Sequence, residues 1–270
     1  MTTSSTADSG APAAPSRITP VVMLLAAISI LVYLVQLGSG VHWMSPQVLQ
    51  MIAWGANVAP LTLTDAPWRL LSSMFLHIGL IHIALNMYML LVLGPFVERA
   101  FGKLRFLLIY LLSGLFGSLA SAMWFSASQE VSVAAGASGA LMGISGAFLG
   151  RILSPGRGQL DAHAIGMKGP LIQTIAINLV IGFLNTGIGI DNAAHIGGLV
   201  AGLVLGLAFS LLTFGRSAGG RLLAMVGISA AALGILWQLA TRAPSPGLLV
   251  MKYQLQVQMA RAAERAPPSP

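Results

Sequence analysis

Four polar residues within apolar stretches carry the chemistry that this 270-residue sequence could perform. Ser138 supplies a hydroxyl, His195 supplies an imidazole, and the stretch FLHIGLIHIALNMY contains His82 and Asn86. An imidazole that takes the proton of a serine hydroxyl turns that hydroxyl into a nucleophile. Polar groups are costly inside a hydrocarbon layer, so each of these four side chains is a candidate for a functional site.

The composition indicates that lipid covers most of the protein surface. Only 8% of the residues are charged and 56% are hydrophobic, whereas a soluble domain has about 25% charged residues. These fractions exclude a soluble globular enzyme and a disordered chain, and the lack of cysteine excludes disulfide scaffolds and thiolate metal sites. A net charge of +7 would suggest nucleic acid in a soluble protein. Here we attribute the excess of basic residues to the orientation of the chain in the membrane, and we expect no nucleic-acid partner.

Seven apolar stretches approach the roughly 20 residues that a helix needs to cross a bilayer. They cover residues 21–37, 70–93, 106–125, 133–150, 170–188, 193–214 and 222–240. The sequence therefore predicts an all-α membrane protein, a polytopic helical bundle with a six-helix core and one C-terminal transmembrane helix. The predicted domains are a disordered tail over 1–20, the core over 21–215, an accessory seventh helix over 216–241 and a flexible tail over 242–270.

The distribution of basic residues predicts the orientation in the membrane. Basic residues favour the cytoplasmic side of a membrane. If the amino terminus is inside, Arg69 is the only lysine or arginine in an outer loop of the first six spans. We expect a multi-pass protein of the bacterial cytoplasmic (inner) membrane. The residues on the inner side are then Arg17, Arg99, Lys103, Arg105, Arg151, Arg157, Lys168, Arg216 and Arg221.

Helical spacing brings three of the polar residues to a similar depth. Asn86 and Ser138 each precede an inner-side arginine by 13 residues, which corresponds to about 20 Å of helix. His195 lies near the outer start of the sixth span. Glycines at helical spacing accompany both Ser138 and His195, and such seams let helices pack closely enough to bring the two side chains within hydrogen-bonding reach. The seams are Gly139, Gly143, Gly146 and Gly150 in one span and Gly198, Gly202 and Gly206 in the other.

Other serines occur in the same apolar stretches, and for them we expect a structural role. The hydroxyl of a serine inside a membrane helix usually donates to a carbonyl of its own helix, one turn earlier. We predict this arrangement for Ser29, Ser113, Ser145 and Ser210. Ser138 differs from these serines because it stands in a Gly-x-Ser-Gly sequence and shares its predicted depth with Asn86 and His195.

Five motifs, in this order, resemble the rhomboid family of intramembrane serine proteases over the region from Trp54 to Gly206. They are Trp68-Arg69, His77-x4-His82-x3-Asn86, Gly94-x3-Glu98-x3-Gly102, Gly136-Ala137-Ser138-Gly139, and Ala194-His195 followed by Gly198, Gly202 and Gly206. The resemblance implies a dyad in which Ser138 is the nucleophile and His195 the general base and later the general acid. It also implies that the Asn86 side chain, the His82 ring and the Ser138 N–H stabilise the oxyanion. It implies structural roles for Trp68-Arg69 and Glu98.

The resemblance further implies an endopeptidase that cleaves transmembrane-helix substrates near the outer membrane face through an acyl-enzyme. The expected partners are single-pass transmembrane substrates and the lipid bilayer, and we expect no cofactor and no metal. Met142 stands where many family members have an aromatic residue, so we expect an altered orientation of the His195 ring. Asp191, one turn before His195, could either orient that ring or cap the start of the helix.

Other classes of membrane protein would require other residues or patterns in the sequence. A membrane metalloprotease needs His-Glu-x-x-His, which is absent, and an aspartyl protease needs two carboxylates at bilayer depth. His77 and His82 are five residues apart, the wrong helical phase for a shared zinc ion. A transporter would be expected to contain internal repeats or interrupted helices. A non-catalytic rhomboid-like protein that binds membrane helices stays open as the alternative.

Overall fold

Helices form most of the chain, as the sequence predicts. The computed structural model describes residues 18–154, 160, 162–184, 190–211, 217–242 and 244–264. Within these ranges the one extended pairing is an isolated antiparallel bridge between Asn57 and Ala134, so the predicted all-α class is confirmed. The helices are α1 (Pro20–Gly38), α2 (Val48–Ala53), α3 (Ala59–Thr62), α4 (Arg69–Ser72) with a 3-10 turn (Ser73–Phe75), α5 (Leu80–Phe101), α6 (Lys103–Ser128), α7 (Ser138–Leu153), α8 (Ala162–Gly166), α9 (Lys168–Phe183), α10 (Asn192–Leu211), α11 (Ala218–Ala240) and α12 (Pro246–Glu264).

Seven of the helical segments correspond to the seven predicted spans. In the described residues, α1, α5, α6, α10, α11 and the segment containing α9 are long and apolar enough to cross a membrane. Helix α7 has only 16 residues, and 13 of them are buried, so neighbouring helices surround it. Of the predicted tail over 1–20, residues 1–17 lie outside the described residues, as do the predicted ends of the fifth and sixth spans, at 188 and 214.

The second span begins ten residues later than the sequence predicts. Predicted over 70–93, it is observed as α5, which begins at Leu80. Gly79, immediately before it, has a φ of +90°, a left-handed conformation that glycine adopts readily. The residues before Gly79 form α4 and the 3-10 turn. Because these residues are apolar, hydropathy alone could not separate them from the span.

Helices α7 and α10 pack along the glycine seams that the sequence predicts. A Cβ added to any of three α10 glycines would clash with a carbonyl oxygen of α7; the pairs are Gly198 with Gly139, Gly202 with Gly143, and Gly206 with Ala147. Backbone atoms cannot move aside as a flexible side chain can, so only glycine permits this approach. Helix α6 closes a third side, since a Cβ on Gly117 would lie 2.7 Å from the Ala194 carbonyl oxygen.

A buried carboxylate of α5 holds the N-terminus of α1. Glu98 is 3% exposed, and its Oε2 accepts hydrogen bonds from the N–H groups of Val21 at 3.1 Å and Val22 at 3.0 Å. The first N–H groups of a helix have no acceptor within it, and their partial positive charge favours an anion. The contact fixes the start of α1 against the end of α5, which agrees with the structural role that the family resemblance implies for Glu98.

Arg69 ties together the loop between α1 and α5. Its Nη1 donates to the carbonyl oxygens of Ile52 at 2.7 Å and Ala56 at 3.0 Å, and its Cζ lies 4.8 Å from the centre of the Trp68 ring. A buried guanidinium requires such partners, and the ring adds a cation–π contact. These contacts give Trp68 and Arg69 a structural role in the loop that carries α2, α3 and α4.

Residues 246–264 form a helix, α12, within the region 242–270 that the sequence predicts as a flexible tail. Leu248 and Leu255 are buried against α2, α3 and α6. Lys252 forms an ion pair with Asp65, and its hydrogen bond lowers the pKa of that carboxyl group. The stability that this ion pair gives to the folded state is fully present above the ordinary pKa of aspartate. It is lost as the pH falls through the lowered pKa of Asp65. Helix α12 therefore lies on the same side of the bundle as the loop between α1 and α5.

Replacement of Leu255 by alanine is expected to loosen α12. The side chain is 3% exposed, and truncating a buried leucine costs about 2–5 kcal/mol. We expect trypsin to cut at Lys252 and Arg261 faster in the variant than in the unmodified protein. Leu249→Ala is the matched control, because Leu249 is on the same helix and 47% exposed. Equal cleavage of the two variants would contradict the packing of α12.

Candidate active site

Ser138 is the first residue of α7, and backbone hydrogen bonds fix the segment before it. Asn57 and Ala134 exchange N–H to carbonyl hydrogen bonds of 2.9 and 2.8 Å, and the Gly136 N–H donates to the Ser73 carbonyl oxygen at 2.9 Å. Gly136 has a φ of +134°, which few other residues tolerate. This non-helical segment explains why α7 starts at Ser138 although the apolar stretch begins at residue 133. The Ser138 side chain is half-buried.

Gly136 also brings this segment against two side chains of α5. A Cβ added to Gly136 would lie 2.6 Å from Cε1 and 2.7 Å from Nε2 of His82, and 3.6 Å from Nδ2 of Asn86. Asn86 is 5% exposed, and its Nδ2 has no hydrogen-bond partner among the residues that the structure describes. A buried donor without a partner is uncommon in folded proteins and is available to a bound oxyanion. Both predicted oxyanion-stabilising side chains thus lie next to the residues that precede Ser138.

His195 lies in the first turn of α10, next to the start of α7. It is 4% exposed, and its Nδ1 has no hydrogen-bond partner in the described ranges. The preceding residue, Ala194, packs on α7, where a Cβ added to Gly139 would lie 3.4 Å from its carbonyl oxygen. The neighbours of Ser138 and His195 are therefore in contact. No hydrogen bond joins the Ser138 hydroxyl to the His195 ring within the described structure, and such bonds often tighten only when substrate binds.

Asp191 caps the start of α10. Its Oδ1 accepts a hydrogen bond from the Ala194 N–H at 2.9 Å, and its Oδ2 accepts one from the Ser121 hydroxyl of α6. Both carboxylate oxygens therefore have partners other than the His195 ring. Of the two roles that the sequence leaves open for Asp191, the contacts favour the helix cap. Sequence reasoning missed Ser121, because nothing in its local pattern shows which helix its hydroxyl contacts.

A small cavity lies beside Ser138. Its volume is about 30 Å³, room for a single water molecule. The polar residues that line it are Ser73, Ser118, Ser138 and Asp191, and the hydroxyl oxygens of Ser73 and Ser118 are 3.4 Å apart. Ser73 and Ser118 were not singled out by the sequence. Their grouping could not be read from spacing, because they come from the 3-10 turn and from α6.

Three of the four other membrane serines singled out by the sequence differ from Ser138 in their hydrogen bonds. The hydroxyls of Ser113, Ser145 and Ser210 donate to the carbonyl oxygen four residues earlier, at 2.6, 2.8 and 2.6 Å, which confirms the prediction for these three. The prediction is wrong for Ser29, whose buried hydroxyl has no partner in the described part of the chain. Ser138 begins its helix and has no preceding turn to accept its hydroxyl hydrogen, which leaves the hydroxyl available for chemistry.

His77 lies beside the site, where its ring packs edge-on against the ring of His82. It is 1% exposed, and its ring centre is 5.4 Å from that of His82 with an angle of 67° between the planes. Neither ring nitrogen has a hydrogen-bond partner among the described residues. In the same ranges no group of three or more His, Cys, Asp or Glu residues has the geometry to hold a metal ion. The arrangement thus offers a hydroxyl, imidazoles and a free amide donor.

Comparison with known proteins identifies the family. The family model described as Rhomboid domain matches residues 64–212, which is more than half of the chain and includes His82, Asn86, Ser138 and His195. The chain belongs to the rhomboid family. The resemblance inferred from the five motifs is therefore confirmed. Together with the apolar helices, membership makes this rhomboid an integral, multi-pass membrane protein.

Curated relatives include rhomboids from bacteria and a plant. Rhomboid protease GluP of Bacillus subtilis (strain 168) is 40% identical over 215 residues, which are 79% of this chain and 39% of that protein. Rhomboid protease AarA of Providencia stuartii is 34% identical over 179 residues, 60% of this chain and 63% of that protein. RHOMBOID-like protein 6, mitochondrial, of Arabidopsis thaliana is 41% identical over 139 residues, 52% of this chain and 42% of that protein. The rhomboid chain thus spans 39% to 63% of the length of these relatives.

Proposed function

We propose that this chain is an intramembrane serine endopeptidase that cleaves transmembrane-helix substrates near the outer membrane face. The observation that carries the proposal is the setting of Ser138. Ser138 is half-buried at the start of α7, and its neighbours contact both His82 of α5 and Ala194 of α10. Two of the relatives are named rhomboid proteases, which supports the same reaction class.

The proposed reaction proceeds through an acyl-enzyme. His195 takes the proton of the Ser138 hydroxyl while the oxygen attacks the carbonyl carbon of the scissile bond. The same imidazole then gives that proton to the leaving amine as the carbon–nitrogen bond breaks. A water molecule, deprotonated by His195, next attacks the ester carbonyl carbon. The bond from that carbon to the Ser138 oxygen breaks, His195 returns the proton to this oxygen, and the second product leaves with a new carboxyl group. The cavity beside Ser138 has room for that water.

Negative charge develops on the carbonyl oxygen in each tetrahedral intermediate. The Asn86 amide is a buried donor with no partner in the described chain, and His82 lies against the same segment. The N–H groups at the start of α7, including that of Ser138, have no acceptor within the helix. Donors fixed in advance in a site of low dielectric constant stabilise such an oxyanion by several kcal/mol, roughly 3–4 for one donor.

The substrate must present an extended segment to this site. A peptide bond inside an intact membrane helix is shielded by hydrogen bonds within the helix. We therefore propose single-pass transmembrane proteins whose helices unwind locally near the site as the substrates.

The proposed location is the bacterial cytoplasmic membrane with the amino terminus inside. The start of α1 contacts the end of α5 through Glu98, and the turn that follows α5 is rich in basic residues, as expected for a cytoplasmic end. On that orientation α12 and the loop between α1 and α5 lie outside.

Covalent labelling tests the proposal directly. The purified protein is treated with a fluorophosphonate, which reacts with activated serine hydroxyls, and the adduct is located by peptide mass spectrometry. We expect labelling at Ser138 and none at Ser145, whose hydroxyl is bonded within its own helix. In parallel, a single-pass helical substrate should yield two products cut near its outer end. Capture of the intact substrate without labelling or cleavage would instead favour the non-catalytic helix-binding alternative.

A further inference from the structure

A second cavity opens where the turn between α5 and α6 meets the start of α11. Its volume is about 340 Å³, and it is widely open on one side. Three of its lining residues are cations, Lys103, Arg105 and Arg221. None of these residues belongs to the site around Ser138, so the cavity has no part in the proposed reaction.

The cavity brings three positive charges together, and the side chains of two of them have no anionic partner among the described residues. The side chains of Lys103 and Arg105 make no hydrogen bond and no ion pair with any residue that the structure describes. Arg105 lies close enough to Arg221 and to Arg151 for their charges to repel it. Such repulsion favours the binding of an anion between the cations.

The nearby helices add to the positive potential. Helix α6, with 26 residues, begins at Lys103, and α11, with 23 residues, begins at Ala218; both of these residues line the cavity. The N-terminus of a long helix carries partial positive charge and exposed N–H groups. The nearest carboxylate in sequence, Glu98, is engaged with the start of α1.

Apolar side chains flank the cations. Leu104 and Leu222 line the cavity, are both exposed, and lie near the starts of two helices long and apolar enough to cross a membrane. Phe101 and Met225 form a buried apolar wall on the same cavity. A ligand that fits both halves has an anionic group and a hydrocarbon chain, and the position at the ends of spanning helices is the depth of lipid headgroups.

We propose that this cavity binds the phosphate of an anionic phospholipid headgroup, with an acyl chain of that lipid along Leu104 and Leu222. Basic pockets at the ends of transmembrane helices are suited to such headgroups. Inorganic phosphate shares the anionic chemistry but cannot use the exposed leucines, so the two ligands can be distinguished.

Lipid retention measured by native mass spectrometry tests the proposal. The full chain in detergent is incubated with phosphatidylglycerol, with phosphatidylcholine or with inorganic phosphate. We expect phosphatidylglycerol to be retained and the Lys103→Gln/Arg105→Gln variant to retain it about thirtyfold less, given the strength of charge attraction at a membrane surface. Lys103 is exposed, so the single Lys103→Gln variant gives a partial loss without a risk to folding.

A matched control carries the same loss of charge on the opposite side. Arg242→Gln/Arg261→Gln lies beyond α11 and in α12, and we expect it to retain phosphatidylglycerol like the unmodified protein. Circular dichroism checks that all variants keep their helix content. Equal retention of the two lipids, equal losses in the two double variants, or displacement of the lipid by inorganic phosphate would each overturn the proposal.

Discussion

Replacing Ser138 by alanine is expected to lower the rate of substrate cleavage by about 10⁴-fold or more, and His195→Ala should have nearly the same effect. The hydroxyl and the imidazole act on one proton in one step, so losing either group removes the whole activated nucleophile. The double variant should therefore be no slower than the single variants. The measurement is single-turnover cleavage of a helical substrate, with KM expected to change little because neither side chain supplies most of the binding surface.

Ser145→Ala is the matched control for this experiment. Ser145 lies on α7 like Ser138, but it is fully buried and its hydroxyl donates to the Leu141 carbonyl oxygen. This variant should keep most of the activity and should still react with a fluorophosphonate. Losses that multiply in the Ser138→Ala/His195→Ala variant would show that the residues act independently, and would contradict a dyad. Activity that persists in both single variants would remove the assignment altogether.

The helical bundle could be predicted because lipid imposes simple rules. A chain that crosses hydrocarbon must satisfy its backbone hydrogen bonds internally, so long apolar stretches become helices. The glycines of α7 and α10 were also informative, since Gly198 and Gly202 meet carbonyl oxygens of α7 as the seams predict. In both cases a pattern along a single helix, its apolar length or the spacing of its glycines, is enough to predict the structure.

Helix boundaries were less predictable because tertiary contacts set them. The start of α5 depends on the left-handed Gly79, and the start of α7 depends on Gly136 and on the bridge between Asn57 and Ala134. A hydropathy window cannot detect any of these features. Helix α12 escaped prediction for a related reason, since its buried side chains, such as Leu255, gain their partners only from the folded outer loop.

The members of the candidate site were proposed from the sequence, whereas the contacts around them come only from the structure. Gly136 lies against His82 and near Asn86, and Ala194, beside His195, lies near Gly139. The engagement of Asp191 with Ser121 could not be foreseen, because it depends on the rotation of α6 relative to α10. The pattern along one helix shows which residues share a face of that helix. To predict a contact between two helices, the rotation of each helix about its own axis must also be known.

Gly202→Ala is expected to destabilise the bundle and to impair cleavage together. The added Cβ would clash with the Gly143 carbonyl oxygen and would lie 2.5 Å from its carbon and 2.7 Å from its Cα. These are backbone atoms, so α7 and α10 must separate, and overpacking of this kind typically costs about 1–3 kcal/mol. A separation near 1 Å between the helices that carry Ser138 and His195 could lower the rate by about 10²-fold. Thermal unfolding in detergent and single-turnover cleavage measure the two effects.

Gly234→Ala provides the matched control, because Gly234 is also in a membrane helix, α11, and a Cβ there would meet nothing within 4 Å. This variant should be as stable as the unmodified protein or slightly more stable, since alanine favours the helix over glycine. The decisive comparison is between the two glycine variants. If Gly202→Ala unfolds at the same temperature as Gly234→Ala and cleaves equally fast, the seam does not hold α7 and α10 in contact. If Gly202→Ala loses stability yet cleaves at the full rate, the seam supports the fold without positioning Ser138 and His195.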